Sequence, residues 1–341
     1  MRASGLAIVI SAVLLAAGAH AAAERVTGPD PHSWYSFAPY ADETSYPAPD
    51  LTAFRHAAGV KDVTLAFVTA EGNTKCVPTW GGYSSYPAYG SAAYQRAAVK
   101  SFQGAGGSVV VSFGGEAGTE LATVCKTVAA LRSAYEKVIA AYGANHVDFD
   151  IEGADNANFG AAKRRAAALA ALQTAAATHG RQLRISLTLP VLPTGLTGDD
   201  ERVIADTADG GVSISLVNGM AMDFGDSAAP DPSNKMGAYA IEVAKSLRRQ
   251  LHSAFPSLNG SALGSLIGIT PMIGINDTSD EVFTLANASQ LVTYAKQQKL
   301  GMLSMWELGR DRQCAQPVTS AQTNCSGVSQ KPWAFAKLLR R

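Results

Sequence analysis

His146-Val147-Asp148-Phe149-Asp150-Ile151-Glu152-Gly153 alternates apolar and acidic residues with a period of two. Successive side chains of a β-strand point to opposite faces, so Val147, Phe149 and Ile151 share one face and Asp148, Asp150 and Glu152 the other. In a closed barrel the apolar set meets an outer ring of helices and the acids point inward. Three carboxylates stacked there are costly as a structural choice, because burial disfavours charge and like charges repel. They must share protons, which raises the pKa of at least one, as a general acid working near neutral pH requires. Glu152 lies nearest the C-terminal end of the strand, where barrel active sites sit, and is the candidate acid. The competing readings are a charged strand end paired with Lys or Arg and a magnesium or calcium site. Strict two-residue spacing of three acids between apolar residues favours catalysis over both.

On either side of this strand, further strand-length apolar runs alternate with longer helix-period segments, the pattern of a parallel sheet built from βα units. The predicted strands cover Tyr35 to Tyr40, Val63 to Thr69, Ser108 to Phe113, His146 to Ile151, Arg184 to Leu189, Ser215 to Asp223, Leu266 to Ile273 and Met302 to Leu308. Helices are predicted over Ala117 to Tyr142, Ala161 to His179, Met236 to Phe255, Ser289 to Gln298 and Pro332 to Leu339. Eight strands alternating with helices predict an α/β fold of the (β/α)₈ TIM-barrel type, in one domain. The rival, a doubly wound open sheet, usually has fewer strands, and no GxGxxG follows the first one here. The irregular stretches Glu71 to Tyr89 and Leu192 to Asp200 follow the second and fifth strands, which puts them on the C-terminal face of the barrel. No linker or repeat sets off a second module.

The N-terminus reads as an export signal over residues 1–23, with Arg2, an apolar run from Leu6 to Ala17 and the small-x-small site Ala19-His20-Ala21. That leaves 24–341 as the expected barrel, secreted and monomeric. The apolar run is shorter than the roughly 20 residues a membrane span needs. Lys plus Arg and Asp plus Glu each number 28, so no net field favours nucleic acid or an anionic membrane, and a neutral substrate fits the balance. Four cysteines in an exported chain suggest disulfides. Cys314 and Cys325 bracket a short polar loop, which leaves Cys76 for Cys125. The six histidines are scattered and no CxxC or HExxH occurs, so neither a metal nor a cofactor is expected. Sequons at Asn259, Asn276 and Asn287 carry no weight, since such matches are common by chance.

Asp148-x-Asp150-x-Glu152 resembles the end of the DGxDxDxE signature of family 18 glycoside hydrolases, the chitinases and endo-N-acetylglucosaminidases. Ser112-Phe113-Gly114-Gly115 matches the family's SxGG at the end of the third strand, with Ser112, Gly114 and Gly115 in a structural part. Asn218-Gly219-Met220-Ala221-Met222-Asp223 occupies the place of the sixth-strand QxMxYD, and Trp306 that of the eighth-strand tryptophan. The tail from Cys314 to Phe335 resembles a bacterial chitinase subgroup, as do Thr270-Pro271-Met272-Ile273-Gly274 and Ser304-Met305-Trp306-Glu307-Leu308.

The resemblance implies hydrolysis of chitin or chitooligosaccharides with retention and substrate assistance. Glu152 protonates the glycosidic oxygen, and the sugar's own acetamido oxygen attacks the anomeric carbon. Asp150 accepts from the acetamido N–H, and Asp148 tunes the proton shared by that pair. By the same resemblance Trp306 floors the sugar site, Asp223 either bonds the acetamido group or pairs with a nearby base, and Asn218, Met220, Met222 and Tyr40 complete the substrate-binding set. Asn145 and His146 depart from the leading Asp-Gly. Met222 stands where many members carry a tyrosine donor, so that bond needs another donor, Tyr40 or Tyr83, or a different arrangement around Phe224. Two other functions compete: a non-catalytic sugar-binding protein on the same barrel, which an intact Glu152 argues against, and an endo-β-N-acetylglucosaminidase acting on glycans.

Overall fold

The computed structural model describes residues 36–278 and 280–341; the expected export segment lies outside them. Twelve strands are present among these residues: β1 (Ser36–Phe37), β2 (Tyr40–Asp42), β3 (Asp62–Glu71), β4 (Lys75–Trp80), β5 (Ser108–Gly114), β6 (His146–Asp150), β7 (Arg184–Pro190), β8 (Leu216–Met220), β9 (Ile267–Thr270), β10 (Gly274–Ile275), β11 (Val282–Phe283) and β12 (Met302–Leu303). The main sheet runs β1-β12-β9-β8-β7-β6-β5-β3-β2, with neighbours parallel along the whole path.

That path begins and ends on one stretch of chain. β1 and β2 are separated only by Ala38-Pro39; Ala38 N donates to Leu303 O and Tyr40 N to Met305 O, while Thr64 N donates to Pro39 O. One extended run is therefore bonded to β12 on one side and β3 on the other, and the sheet closes as an eight-stranded barrel. β4 is additional, antiparallel to β3, and β10 and β11 form a separate hairpin.

Apolar residues on the outer faces of the strands meet the helices in one continuous core. On β5 and β6, Phe113 and Phe149 stack at 5.3 Å, and Tyr135 of the helix Val128–Tyr142 meets both edge-on at 4.9 and 5.2 Å. Burying each such ring contributes about 1.5–3 kcal/mol. A second, small cluster joins Ala38 with Val110 of β5, Leu216 of β8 and Met302 of β12.

Several predicted boundaries shift. The helix expected over Ala117 to Tyr142 is two, Leu121–Val124 and Val128–Tyr142. Cys125 between them is extended, and Thr127 caps the second by accepting from Ala130 N. The stretch read as irregular from Glu71 to Tyr89 contains β4, and the one ending at Asp200 contains the start of the helix Gly198–Asp209, opened by a Thr197–Asp200 capping box. Helices at Leu51–Ala58, Arg96–Gly104 and Gly260–Ser265 are also additions to the sequence reading. Cys76 is bonded to Cys125, tying β4 to the end of Leu121–Val124, and Cys314 to Cys325. No helix among the described residues is long and apolar enough to cross a membrane.

Candidate active site

The register of three adjacent strands builds the site in layers. Asp148 on β6 lies level with Ser112 on β5 and Ser186 on β7; Asp150 lies level with Gly114 and Thr188. Glu152, two residues further on, reaches the mouth. At the lower level every lone-pair direction of Asp148 is used. Ser112 Oγ (2.7 Å) and Tyr40 OH (3.1 Å) donate to Oδ2, and Ser186 Oγ (2.6 Å) and Thr188 Oγ1 (2.9 Å) donate to Oδ1. Beneath it, His146 Nε2 lies 3.1 Å from Ser186 Oγ, whose proton is given to Asp148, so the imidazole is the donor.

The upper level is different. Asp150 is buried, and its Oδ1 has no hydrogen-bond partner. Burial, then the charges of Glu152 and Asp148, hold its carboxyl well above the usual range. Glu152 is raised from 4.5 to about 7, by burial first and then by the charges of Glu116 and Asp223. Asp148 is raised by burial, and its four hydroxyl donors oppose the shift. Like charge therefore adds to burial at Asp150 and Glu152, whereas at Asp148 four hydroxyl donors work against it.

The layers open into a cleft of about 460 Å³, with Tyr40, Asp150, Glu152, Met220, Met222, Asp223 and Trp306 in its wall. The Trp306 and Phe67 rings stack at 5.5 Å, with Tyr40 within 6 Å of both. Asp223 carries φ +49 and accepts from Thr278 N at 2.8 Å. Gly114 has φ +104, and a Cβ there would collide with Asp150 O; Gly115 N donates to that same oxygen at 3.0 Å. The pair of glycines thus lets the chain fold over the end of β6.

Three sequence assignments move. Asn218 is fully buried outside the cleft wall; its Nδ2 donates to Thr188 Oγ1 (3.1 Å) and its Oδ1 accepts from Thr270 Oγ1 (2.9 Å), so it fixes a donor to Asp148. Tyr40 lines the cleft, but its hydroxyl is committed to Asp148, and Tyr83 lies outside the cleft lining. Ser112, given a structural part in the sequence reading, donates directly to the acid row. Phe67, Glu116, Thr188, Leu192 and Asp277 also line the cleft and were missed. Glu116 was within reach of sequence reasoning, since it stands two residues past Gly114 as Glu152 stands two past Asp150. Asp277 comes from an irregular loop and had no such signal. Among the described residues no group of three or more His, Cys, Asp or Glu is placed to hold a metal ion.

A closed barrel with an inward acid row that opens into a cleft lined by stacked aromatic rings has the architecture of a glycoside hydrolase barrel. Comparison with known proteins makes this specific. The chain is 33% identical to the catalytic domain of a hyperthermophilic chitinase from Pyrococcus furiosus, over 91% of this chain and 95% of that one, with a TM-score of 0.78. It is 36% identical over 295 residues to a probable bifunctional chitinase/lysozyme of Escherichia coli (strain K12), covering 84% of this chain and 32% of that protein. It is 35% identical to endochitinase 11 of Metarhizium anisopliae, covering 84% of this chain and 55% of that protein. The chain thus spans about a third and about half of the lengths of these two relatives. No protein-family model matches it. The chain belongs to the family 18 glycoside hydrolases, the chitinase family.

Proposed function

We propose that this chain is a secreted, monomeric chitinase, with 24–341 as its catalytic barrel, that hydrolyses β-1,4-linked N-acetylglucosamine polymers or oligomers with retention of configuration. The observation that carries the reading is the pair at the mouth: Glu152, holding a proton up to about pH 7, above a buried Asp150 oxygen that has no partner. A sugar bound on Trp306 brings an acetamido N–H, the donor that oxygen lacks. Glu152 gives its proton to the glycosidic oxygen as the bond to the anomeric carbon breaks. The acetamido oxygen closes on that carbon to form an oxazolinium ion, whose positive charge faces the Asp150 carboxylate. Water then opens the ring while Glu152 takes back a proton, so the enzyme ends as it began. A solved relative supports the substrate class: catalytic-site mutants of a Pyrococcus furiosus chitinase domain complexed with chito-oligosaccharides.

Glu152→Gln keeps the shape and removes the proton. It is expected to lower the rate on labelled chitotetraose by a factor on the order of 10²–10⁴ with an unchanged thermal midpoint. Wild-type speed in the purified variant would end the assignment of the acid, and glycan release from a high-mannose glycoprotein in place of chitotetraose cleavage would redirect the substrate.

A further inference from the structure

Five large apolar side chains are exposed among the described residues, and three are tyrosines on the loops after β2 and β4: Tyr46 completely, Tyr83 by 56% and Tyr89 by 37%. Scattered exposed aromatics need no explanation, but grouped ones at the rim of a site do. The loops that carry Tyr46 and Tyr83 meet at Gly81. Gly81 N donates to Phe67 O at 3.0 Å, so the turn that carries Tyr83 is fastened to the residue whose ring stacks on Trp306 in the cleft. At Gly81, with φ +57, a Cβ would meet Thr44 Cγ2 at 2.7 Å and the Tyr83 ring at 3.0 Å, so Thr44 and Tyr83 close on one point. Thr44 is itself pinned by donating through N (2.8 Å) and Oγ1 (2.7 Å) to Asp42 Oδ1, and Tyr46 is two residues further along.

The Tyr83 ring is also braced. Tyr86 meets it edge-on at 5.8 Å and stacks on Tyr94 at 4.3 Å, so little freedom remains to be lost when a ligand binds. The two loops, Thr44-Ser45-Tyr46-Pro47 and Gly81-Gly82-Tyr83-Ser84-Ser85-Tyr86-Pro87-Ala88-Tyr89-Gly90, contain no charged residue. A neutral polymer suits such a surface. Tyr89, by contrast, belongs to a separate hollow with Cys76, Pro78 and Lys137.

We propose that Tyr46 and Tyr83 form a sugar-binding ledge that continues the aromatic floor of Trp306 and Phe67 outside the cleft and grips the N-acetylglucosamine polymer from which the reacting chain is drawn. Pyranose rings lie with their C–H faces on the tyrosine rings while their hydroxyls stay in water. This rests on the chitinase reading for the identity of the polymer.

The test separates the two. Binding to insoluble chitin is measured with the Glu152→Gln protein, in which cleavage does not confuse the reading, with and without Tyr46→Ala/Tyr83→Ala. The double variant is expected to bind roughly tenfold more weakly, and Tyr83→Phe alone to bind like the parent. Tyr89→Ala serves as the control that leaves binding unchanged. With Glu152 intact, hydrolysis of insoluble chitin falls further in the double variant than hydrolysis of chitotetraose. Unchanged chitin binding, or equal losses on the two substrates, overturns the ledge. So does a dimer of the parent that the double variant abolishes while chitin binding persists. Failure of the parent with Glu152 intact to cleave any chitooligosaccharide overturns the chitinase reading instead, and the binding series still decides the ledge.

Discussion

Two buried carboxylates in this barrel are treated in opposite ways. In the helix layer, Glu120 receives Ala122 N (2.9 Å) and Arg165 Nη1 (3.2 Å) on one oxygen and Tyr135 OH (2.6 Å) on the other, with both members of the ion pair about 1% exposed. In the barrel, Asp150 has one oxygen without any partner, and its nearest charges, Glu152 and Asp148, are of its own sign. Burying a charge is costly, and at Glu120 the fold offsets the cost with a cation and two further donors. At Asp150 it leaves the cost standing and surrounds the residue with rigid strands. Glu43 also leaves both its buried oxygens without partners, but it lies outside the cleft lining; Asp150 is short of a partner in the wall of the cleft, where one can arrive.

The comparison breaks first at Asp150. Asp150→Ala removes the acceptor for the acetamido N–H and is expected to cut kcat on chitotetraose on the order of 10²-fold or more, while thermal stability holds or rises because an uncompensated buried acid is gone. A fall in stability together with intact kcat would make Asp150 a structural acid like Glu120. Arg165→Leu tests the other side: it strands Glu120 and should lower the unfolding free energy by about 3–5 kcal/mol in a denaturant titration. Replacing both, as Glu120→Leu/Arg165→Leu, should restore most of that loss. A gentler effect is expected from Glu116→Gln. The Glu116 charge helps raise Glu152, so its removal lowers the pKa of the acid. Because Glu152 must be protonated to work, the alkaline limb of the pH–rate profile, near pH 7 in the parent, moves to lower pH. A limb that stays in place would show that burial alone sets the acid.

Much of this was readable in the chain. A period-two row of acids between Val147, Phe149 and Ile151 is a local signal, and it fixed both the inner strand and its face. Spacing could not show what meets Asp148, because Tyr40, Ser112, Ser186 and Thr188 are hydroxyls from three other strands, β2, β5 and β7, whose convergence exists only after closure. The same reason hid Phe67, whose ring reaches Trp306 from the far side of the barrel seam. Asn218 was placed one shell too far forward: its motif position is right, but a short amide on β8 reaches Thr188 and Thr270 before it reaches the cleft. The β4 strand escaped because its Pro78 and the polar residues near it read as loop.

The lateral alignment of Ser112, Asp148 and Ser186 across three neighbouring strands also bears on how distant relatives should be diagnosed. The acid row is written in one short segment, but the donors that meet Asp148 are spelled by single serines 36 and 38 positions away. A chain could carry every acid of the row and still be chemically silent if Ser112 or Ser186 had become alanine. Anyone grafting this strand into another scaffold would inherit the acids without their chaperones. The heritable unit is the transverse row of hydroxyls and carboxylate together, and that is where a search for lapsed or repurposed versions of this barrel should look.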